Sequence, residues 1–377
     1  MKDTVQVSLT TLGAHIVLFV LSAMLAACSH RTTEPSPAFT INLHQWGYSN
    51  EPSSSPTASY SSLAFLSNDV LLVVINERRF TKAVELSLTD EPVSKVLLFN
   101  IHTNMLVTTA DIPVEKEPGA VQISEGGHFS VWNESGIQLC DLELKCTAPA
   151  RFPGPLLAPP NGSAIVAGGW GQNGQKLLDG SSLHELATYP PGNPAVVPGD
   201  GVLLLRYAGH KFFVKQNSNV EKPLPITERV VNEVFLPKSR FLNRSMIAVD
   251  ETDKNLLLAD LNGKPLYRVP IDYSMSNITV SSCVCQTEFA IREQRYTRWN
   301  SIIHFTDIEN TRPFDFEKVR VFDALSGRVL FSLEQDPRPY IAASPSPAIS
   351  PDGRHIALVD RGILNVYRLP ETGEASE

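Results

Sequence analysis

The chain has 377 residues, of which 42% are hydrophobic and 19% charged, so it is long enough to bury a sizeable core. Its 28 prolines and 22 glycines predict many short elements separated by turns rather than long helices. The formal net charge of −8 indicates a solvated acidic surface and argues against nucleic acid as a partner, because no basic field is left for a phosphate backbone.

The N-terminal residues 1–28 are predicted to be a processed signal peptide. An apolar run at 16–27 is shorter than the ~20 residues that span a bilayer and ends in small residues. The sequence "LAAC", which ends at Cys28, resembles the lipobox of bacterial lipoproteins. This resemblance implies that Cys28 is acylated after cleavage and anchors an exported chain to a bacterial membrane, facing the periplasm or the cell surface. An ordinary secretory signal and an uncleaved anchor are the alternatives.

Three further regions follow the signal peptide. Residues 29–38 are predicted to be a flexible tether, 39–370 a single folded domain, and 371–377 a disordered tail. At the start of the domain, "FTINLHQW" at 39–46 is apolar and alternating, which predicts a β-strand.

Four cysteines remain after Cys28. Cys140 and Cys146 flank "DLELK" and are predicted to face each other across a β-hairpin as a disulfide. Cys283 and Cys285 would point to the same side of a strand roughly 6.5 Å apart, at the edge of the range for a disulfide, which predicts two buried thiols. Neither pair has the spacing or the histidine neighbours of a zinc site.

A strand–turn–strand unit recurs along the chain. The segments "ISEGGHFSVWNESGIQLCDL" at 123–142 and "ISPDGRHIALVDRGILNVYR" at 349–368 align without a gap, and fainter copies lie between them. Successive turns lie roughly 35 to 60 residues apart, the period range of a β-propeller blade with loop insertions. The sequence therefore predicts an all-β fold, a β-propeller, with a β-sandwich of unrelated hairpins as the alternative.

The same turns carry a resemblance to known families. The turn "SPDG" at 350–353 resembles the WD40-like repeats of bacterial periplasmic propellers. The polar-turn hairpins at 98–107, 258–269 and 321–333 resemble those of the related YVTN-type propellers. The resemblance implies the propeller fold and does not imply an activity.

Seven four-stranded blades are predicted, and the ring is expected to be closed by the N-terminal strand, which removes an exposed sheet edge. The predicted spans are 63–113, 118–153, 154–191, 193–226, 230–270, 271–337 and a composite of 340–369 with 39–46.

Linear motifs for catalysis or cofactor binding are absent from the sequence. The stretch "GWGQNG" at 169–174 matches the GxGxxG pattern of dinucleotide-binding loops. That pattern requires a helix directly afterwards, but Asp179-Gly180 would interrupt a helix within a few residues, so a glycine-rich hairpin loop is predicted. There is no GxSxG and no HExxH. We therefore predict no cofactor, no metal and no catalytic residue.

One stretch stands out as a candidate binding patch. In "REQRYTRWN" at 292–300, arginines alternate with aromatic residues, both types that are enriched at binding hot spots. The candidate residues are Arg292, Arg295, Tyr296, Arg298 and Trp299. A solvated hairpin in which arginine stems cover the aromatic rings is the alternative.

Two functions follow as hypotheses. The first is a membrane-tethered, non-catalytic binding or scaffold module that recognises an envelope protein or polymer through loops at one end of the propeller. The second is a propeller-type hydrolase or lactonase with its active site at the axial channel.

Overall fold

The structure is a computed structural model, and it describes a little over half of the chain. The described residues are 35–48, 60–76, 93–114, 121–123, 127–133, 135–152, 156–157, 164–168, 175–189, 196–197, 203–208, 211–216, 222–223, 240–241, 245–251, 255–260, 262, 264–271, 276–283, 287–296, 314–335 and 346–371. The chain divides into two compact units, Met1–Ser36 and Pro37–Glu377, and every described strand belongs to the second. Within the described residues, no helix is long and apolar enough to cross a membrane.

The described part of the chain is all-β apart from one short 3-10 helix, and its strands form seven antiparallel sheets. Sheet I contains β2 (Tyr60–Phe65), β3 (Val70–Asn76), β4 (Val93–Asn100) and β5 (Met105–Pro113). Sheet II contains β6 (Val121–Ile123), β7 (Phe129–Asn133) and β8 (Gly136–Cys140). Sheet III contains β9 (Leu156–Leu157), β10 (Ala164–Ala167), β11 (Gln175–Asp179) and β12 (Glu185–Tyr189).

The remaining four sheets follow in chain order. Sheet IV contains β13 (Val196–Val197), β14 (Leu203–Ala208), β15 (Lys211–Gln216) and β16 (Lys222–Pro223). Sheet V contains β17 (Arg240–Phe241), β18 (Met246–Glu251), β19 (Asn255–Asp260) and β20 (Pro265–Pro270). Sheet VI contains β21 (Ser276–Ser282), β22 (Glu288–Tyr296), β23 (Phe314–Asp323) and β24 (Val329–Gln335). Sheet VII contains β25 (Ala348–Ile349), β26 (His355–Asp360), β27 (Ile363–Arg368) and β1 (Phe39–Asn42).

Six of the sheets are meanders in which strands that follow one another in the chain pair side by side. We name the strands of each sheet A to D in this order, so that the A–B and C–D turns lie at one end of a sheet and the B–C turn at the other. In sheet VII strand D is β1, which pairs antiparallel with β27 from Phe39↔Val366 to Asn42↔Ile363. The sheets lie in the seven spans expected from the sequence, although sheet I begins slightly earlier, at Tyr60.

Neighbouring sheets pack face to face through apolar side chains. In β3, Leu71 and Val73 belong to the cluster shared with sheet VII, whereas Leu72 and Val74 belong to the cluster shared with sheet II. Because both faces of such a strand are covered, it reads as a continuous apolar run rather than an alternating one. Comparable clusters join sheets II and III, V and VI, and VI and VII.

Two expected strands differ in the structure. The segment 39–46 is a strand only over β1, because Leu43–Trp46 forms a 3-10 helix: the Asn42 side chain accepts the His44 amide, and Gly47, at φ 93°, ends the turn. Sheet II has three described strands rather than four. After β8, the chain returns only through isolated bridges, Ile137↔Ala150 and Cys140↔Cys146.

The cysteines are bonded as follows. The structure contains a Cys140–Cys146 disulfide. The expectation of a free thiol at Cys283 is wrong in the structure, since this cysteine is disulfide-bonded. Residue 285 lies outside the described residues.

Candidate functional site

The predicted binding patch is divided by the structure. Arg292 is only 4% exposed and pairs with Glu317 on the neighbouring strand, at 3.4 Å between Nε and Oε1, so it does not contribute to an exposed patch. Arg295 and Tyr296 lie at the end of β22, where the backbone alone is described. Residues 298 and 299 lie outside the described residues. What is left of the patch is therefore at the B–C end of sheet VI.

Other segments singled out by the sequence also lie outside the described residues. These are Cys28, the tether as far as residue 34, the glycine-rich stretch 169–174 and the tail from residue 372. Their assignments remain predictions.

The C–D turns share one construction that the sequence analysis recognised only in part. In five sheets, an aspartate or asparagine ends strand C or follows it directly, and its side-chain oxygen accepts backbone N–H groups of the turn at 2.7–3.0 Å. The residues are Asn100, Asp141, Asp179, Asp260 and Asp323. Such Asx turns provide hydrogen-bond acceptors for the backbone N–H groups that have no partner strand beyond the end of strand C.

A β-bulge accompanies this turn in sheets I, III, V and VI. In sheet I, Phe99 pairs with Leu106 and Leu98 with Thr108, which leaves Val107 as the extra residue of strand D. Leu186 and Leu266 occupy the same position in sheets III and V, and all three side chains are exposed. In a β-bulge, two residues of one strand lie opposite a single residue of its neighbour, and the side chain of the additional residue points in a different direction.

The exposed large apolar side chains of the described residues all lie at this end of the sheets, in a C–D turn or at the start of strand D. We call them the C–D rim. Its members are Met105, Val107, Leu142, Leu186, Leu266, Leu325 and Val329. Leu325 is the most exposed, at 80%. Single exposed apolar residues are common, but Val107, Leu186 and Leu266 return at the same bulge position of three sheets, and the other members lie in or beside the same turns of sheets I, II and VI.

A histidine–carboxylate cluster lies at the same end, where sheets VII and I meet. His102 bonds Asp69 at 2.7 Å between Nε2 and Oδ1, and its ring packs edge-on against the ring of His355, with 6.3 Å between centroids. Burial lowers the pKa of His355, and the carboxylate of Asp352 opposes that effect. The Nδ1 atom of His355 is buried without a hydrogen-bond partner among the described residues. This arrangement places two histidine rings and the carboxylate of Asp69 where sheets VII and I meet.

A buried carboxyl group lies where sheets VI and VII meet. Glu288 is 5% exposed, and its carboxylate lies directly against Gly353 in the A–B turn of sheet VII. Burial raises the pKa of Glu288 to about 7; the charges of Asp323 and Asp352 act in the same direction, and a hydrogen bond from Thr287 acts against them. A carboxyl group with such a pKa holds a proton at mildly acidic pH.

An open cleft of about 540 Å³ lies between strand β1 and the C–D turn of sheet I. Phe39, Ile41, Trp46 and Leu106 form part of its wall, and the indole of Trp46 meets the ring of Phe99 edge-on at 5.4 Å. The cleft is open to solvent on the outer side of β1.

Among the residues that the structure describes, no group of three or more His, Cys, Asp or Glu side chains is placed to hold a metal ion. The described surface presents apolar contact area at the C–D rim. Sequence reasoning missed the rim, although its signal was present: an Asp or Asn at the end of an apolar strand, followed a few residues later by a Val or Leu.

Comparison with models of known protein families gives no match, and no curated protein matches the sequence. Among solved structures, one that is similar is described as KlHsv2 with loop 6CD replaced by a Gly-Ser linker, a β-propeller from Kluyveromyces. The similarity covers 80% of this chain and 89% of that chain, with a TM-score of 0.48 and 9% sequence identity. These values do not assign the chain to the family of that protein.

Proposed function

We propose that this chain is an exported lipoprotein whose domain is a seven-bladed β-propeller, and that it acts as a non-catalytic binding or scaffold module at the cell envelope. The observation that carries the proposal is the composite sheet VII, in which β1 completes a sheet made by the last three strands. A ring of blades is commonly closed in this way, because the pairing of both chain ends removes a free edge.

The order of the packed sheets supports the ring. Described apolar clusters link sheet V to VI, VI to VII, VII to I, I to II, and II to III. Four of these contacts join sheets that are consecutive in the chain. The fifth, between sheets VII and I, joins the last sheet to the first. We infer that sheet IV occupies the remaining place between III and V, which gives seven blades around one axis.

The membrane tether is proposed from the residues before β1. The "LAAC" sequence ending at Cys28 supplies the lipid attachment, and residues 29–38 connect it to the domain. Several acyl chains on one cysteine hold a soluble domain at a membrane surface, because each buried methylene contributes ~0.8 kcal/mol.

The partner surface is proposed at the B–C end of sheet VI. Strand β22 ends at Tyr296 at that end of the sheet; Arg295 comes directly before Tyr296, and Arg298 and Trp299 follow it in the sequence. Arginine and aromatic side chains are enriched at the energetic centres of interfaces. The partner proposed is a protein or polymer of the envelope.

Cross-linking in intact cells followed by affinity capture tests the proposal. The native chain is compared with Arg295→Ala/Trp299→Ala, and with Arg361→Ala as a control at the exposed B–C turn of sheet VII. We expect one stoichiometric partner with the native chain and the control, and its loss with the double variant, while all three reach the membrane. No partner for any of the three would contradict the binding function and would direct attention to hydrolase activity.

A further inference from the structure

We propose that the C–D rim is a membrane-contacting surface that rests on the bilayer carrying the acylated Cys28. This inference depends on the lipid anchor of the proposed function, and it adds an orientation: the C–D end faces the lipid, and the B–C end faces away from it. It rests on the repeated position of the apolar side chains, on where the chain enters the domain, and on the charges beside the rim.

The rim is built into the fold rather than scattered over it. Val107, Leu186 and Leu266 are the extra residues of three equivalent bulges. Leu325 lies in the Asx turn of sheet VI, where its own amide bonds Asp323 at 3.0 Å and leaves its side chain exposed. Since this bulge recurs in sheets I, III and V, three of the apolar side chains recur at the same level of their sheets. A surface of this kind fits a broad, flat partner such as a lipid interface.

The chain enters the domain at this same end. Strand β27 runs from the B–C turn toward the C–D end, and β1 is antiparallel to it, so β1 begins beside the end of β27. The amide of Ala38 bonds the carbonyl of Val366 at 2.8 Å, which fixes the entry point at the C–D end of sheet VII.

The tether limits how far this end can move from the membrane. A segment of this length, from residue 29 to residue 38, spans at most ~35 Å even when it is fully extended. An acylated Cys28 therefore holds the C–D end closer to the bilayer than the opposite end of the domain.

Two exposed ion pairs beside the rim do not require an anionic lipid. Exposed Lys145 pairs with Glu143, and exposed Arg354 with Glu371, each at 3.4 Å. Pairs of opposite sign add no net attraction to an anionic surface and no net repulsion from it. We therefore expect the contact to form on phosphatidylcholine alone, by partial burial of the apolar side chains.

The test uses the full acylated chain reconstituted into phosphatidylcholine vesicles that contain brominated acyl chains. A fluorophore is attached at Leu325→Cys in the rim, or at Ser135→Cys, an exposed position in the B–C turn of sheet II. We expect the Leu325→Cys label to be quenched by the brominated lipid and the Ser135→Cys label to keep its emission. Equal emission at the two positions, in a chain that stays with the vesicles, would overturn the inference.

Two further measurements separate the rim from the anchor. Radiolabelled palmitate incorporation into the native chain, and its loss in Cys28→Ser, establishes the anchor independently. Absence of incorporation would overturn the anchor, and the inference with it. Within the acylated chain, Leu325→Ser/Val329→Ser is expected to raise emission from a label at Leu142→Cys, because the remaining rim no longer holds this end against the lipid. Unchanged quenching would contradict a role for these side chains.

Discussion

Gly353 sets how closely sheets VI and VII approach each other. It has φ 72°, and a Cβ atom there would lie 2.0 Å from Oε2 of Glu288. Gly127 is its counterpart in the aligned repeat of sheet II, with φ 81°, yet a Cβ atom there would meet only a carbonyl oxygen of Leu66 at 3.8 Å. The two glycines therefore share the same backbone requirement and differ in the space around them.

We expect Gly353→Ala to destabilise the domain more than Gly127→Ala. Both substitutions incur about 1 kcal/mol for a left-handed backbone. Only the first also requires the buried carboxylate of Glu288 to move away from the turn, which adds to its cost. The free energy of unfolding in urea measures the difference, and equal losses in the two variants would contradict the close contact with Glu288.

Glu288 predicts a pH dependence with a definite sign. Its pKa is about 7 in the fold against 4.5 for an unperturbed glutamate, so the folded state binds the additional proton between these values. The free energy of unfolding must then fall as pH rises through this window. We expect Glu288→Gln to lose this dependence, so that its stability relative to the native chain increases from pH 4.5 to pH 7.

Urea unfolding at several pH values in that window tests the prediction, with Glu143→Gln as the control because Glu143 is exposed. The control should follow the native chain. If Glu288→Gln has the same pH dependence of the free energy of unfolding as the native chain, this carboxyl group is not buried with a raised pKa.

Strands β22 and β23 carry charged residues inside sheet VI. Arg292 and Glu317 are both 4% exposed, and Arg320 bonds Glu293 at 2.8 Å on the other face. Arg320 also donates to the carbonyl of Pro270 in sheet V and lies 5.2 Å over the ring of Phe322. Charges between packed sheets are tolerated because they are paired.

Removal of one member of such a pair should destabilise the domain strongly. Arg292→Met removes the opposite charge that lies 3.4 Å from the buried Glu317, and the loss of one member of a buried pair typically costs about 3–5 kcal/mol; Arg292→Met/Glu317→Met should recover most of this cost. Lys95→Met, which breaks the more exposed pair with Asp111, should cost less than about 1 kcal/mol. Thermal unfolding of the three variants compares them, and a single variant as stable as the control would place Arg292 on the surface after all.

The arginines of this strand also show where sequence reasoning fails. The stretch that begins at Arg292 has the composition of an interface, and nothing in it shows that sheets V and VII cover both faces of β22. The buried Arg292 forms an ion pair with Glu317, which lies on the next strand and is separated from β22 by a long connection. By contrast, the "SPDG" turn was predictable because its contacts are local: the Ser350 hydroxyl donates to Asp352 at 2.6 Å and accepts the amide of His355 at 2.9 Å.

At the scale of the whole molecule, the chain order of the sheets followed from the repeat, because each blade-sized unit is a local meander with its own turns. The composite sheet VII was also predictable, since the last repeat lacks an outer strand and the alternating segment at 39–46 can supply one. The C–D rim was not predicted. The Asp or Asn at the end of strand C marks the turn in the sequence, but the positions of Val107, Leu186 and Leu266 depend on bulges in strand D, and a bulge depends on pairing that the sequence of one strand does not encode.

The pairing of β1 with β27 in sheet VII is the central structural claim, because both the proposed ring and the proposed position of the tether depend on it. Thr40 and Asn365 are direct partners across β1 and β27, and their side chains are hydrogen-bonded at 2.9 Å over a sequence separation of 325 residues. Directly opposed residues of antiparallel strands lie within the Cα separation that a disulfide requires.

The decisive measurement is therefore disulfide formation in Thr40→Cys/Asn365→Cys, with the two single variants as controls. The account predicts a link that forms within the monomer under mild oxidation, gives a faster-migrating species without reductant, and joins the two peptides in a digest. Free thiols at both positions, or links between molecules only, would contradict the pairing of β1 with β27 and with it the closed ring.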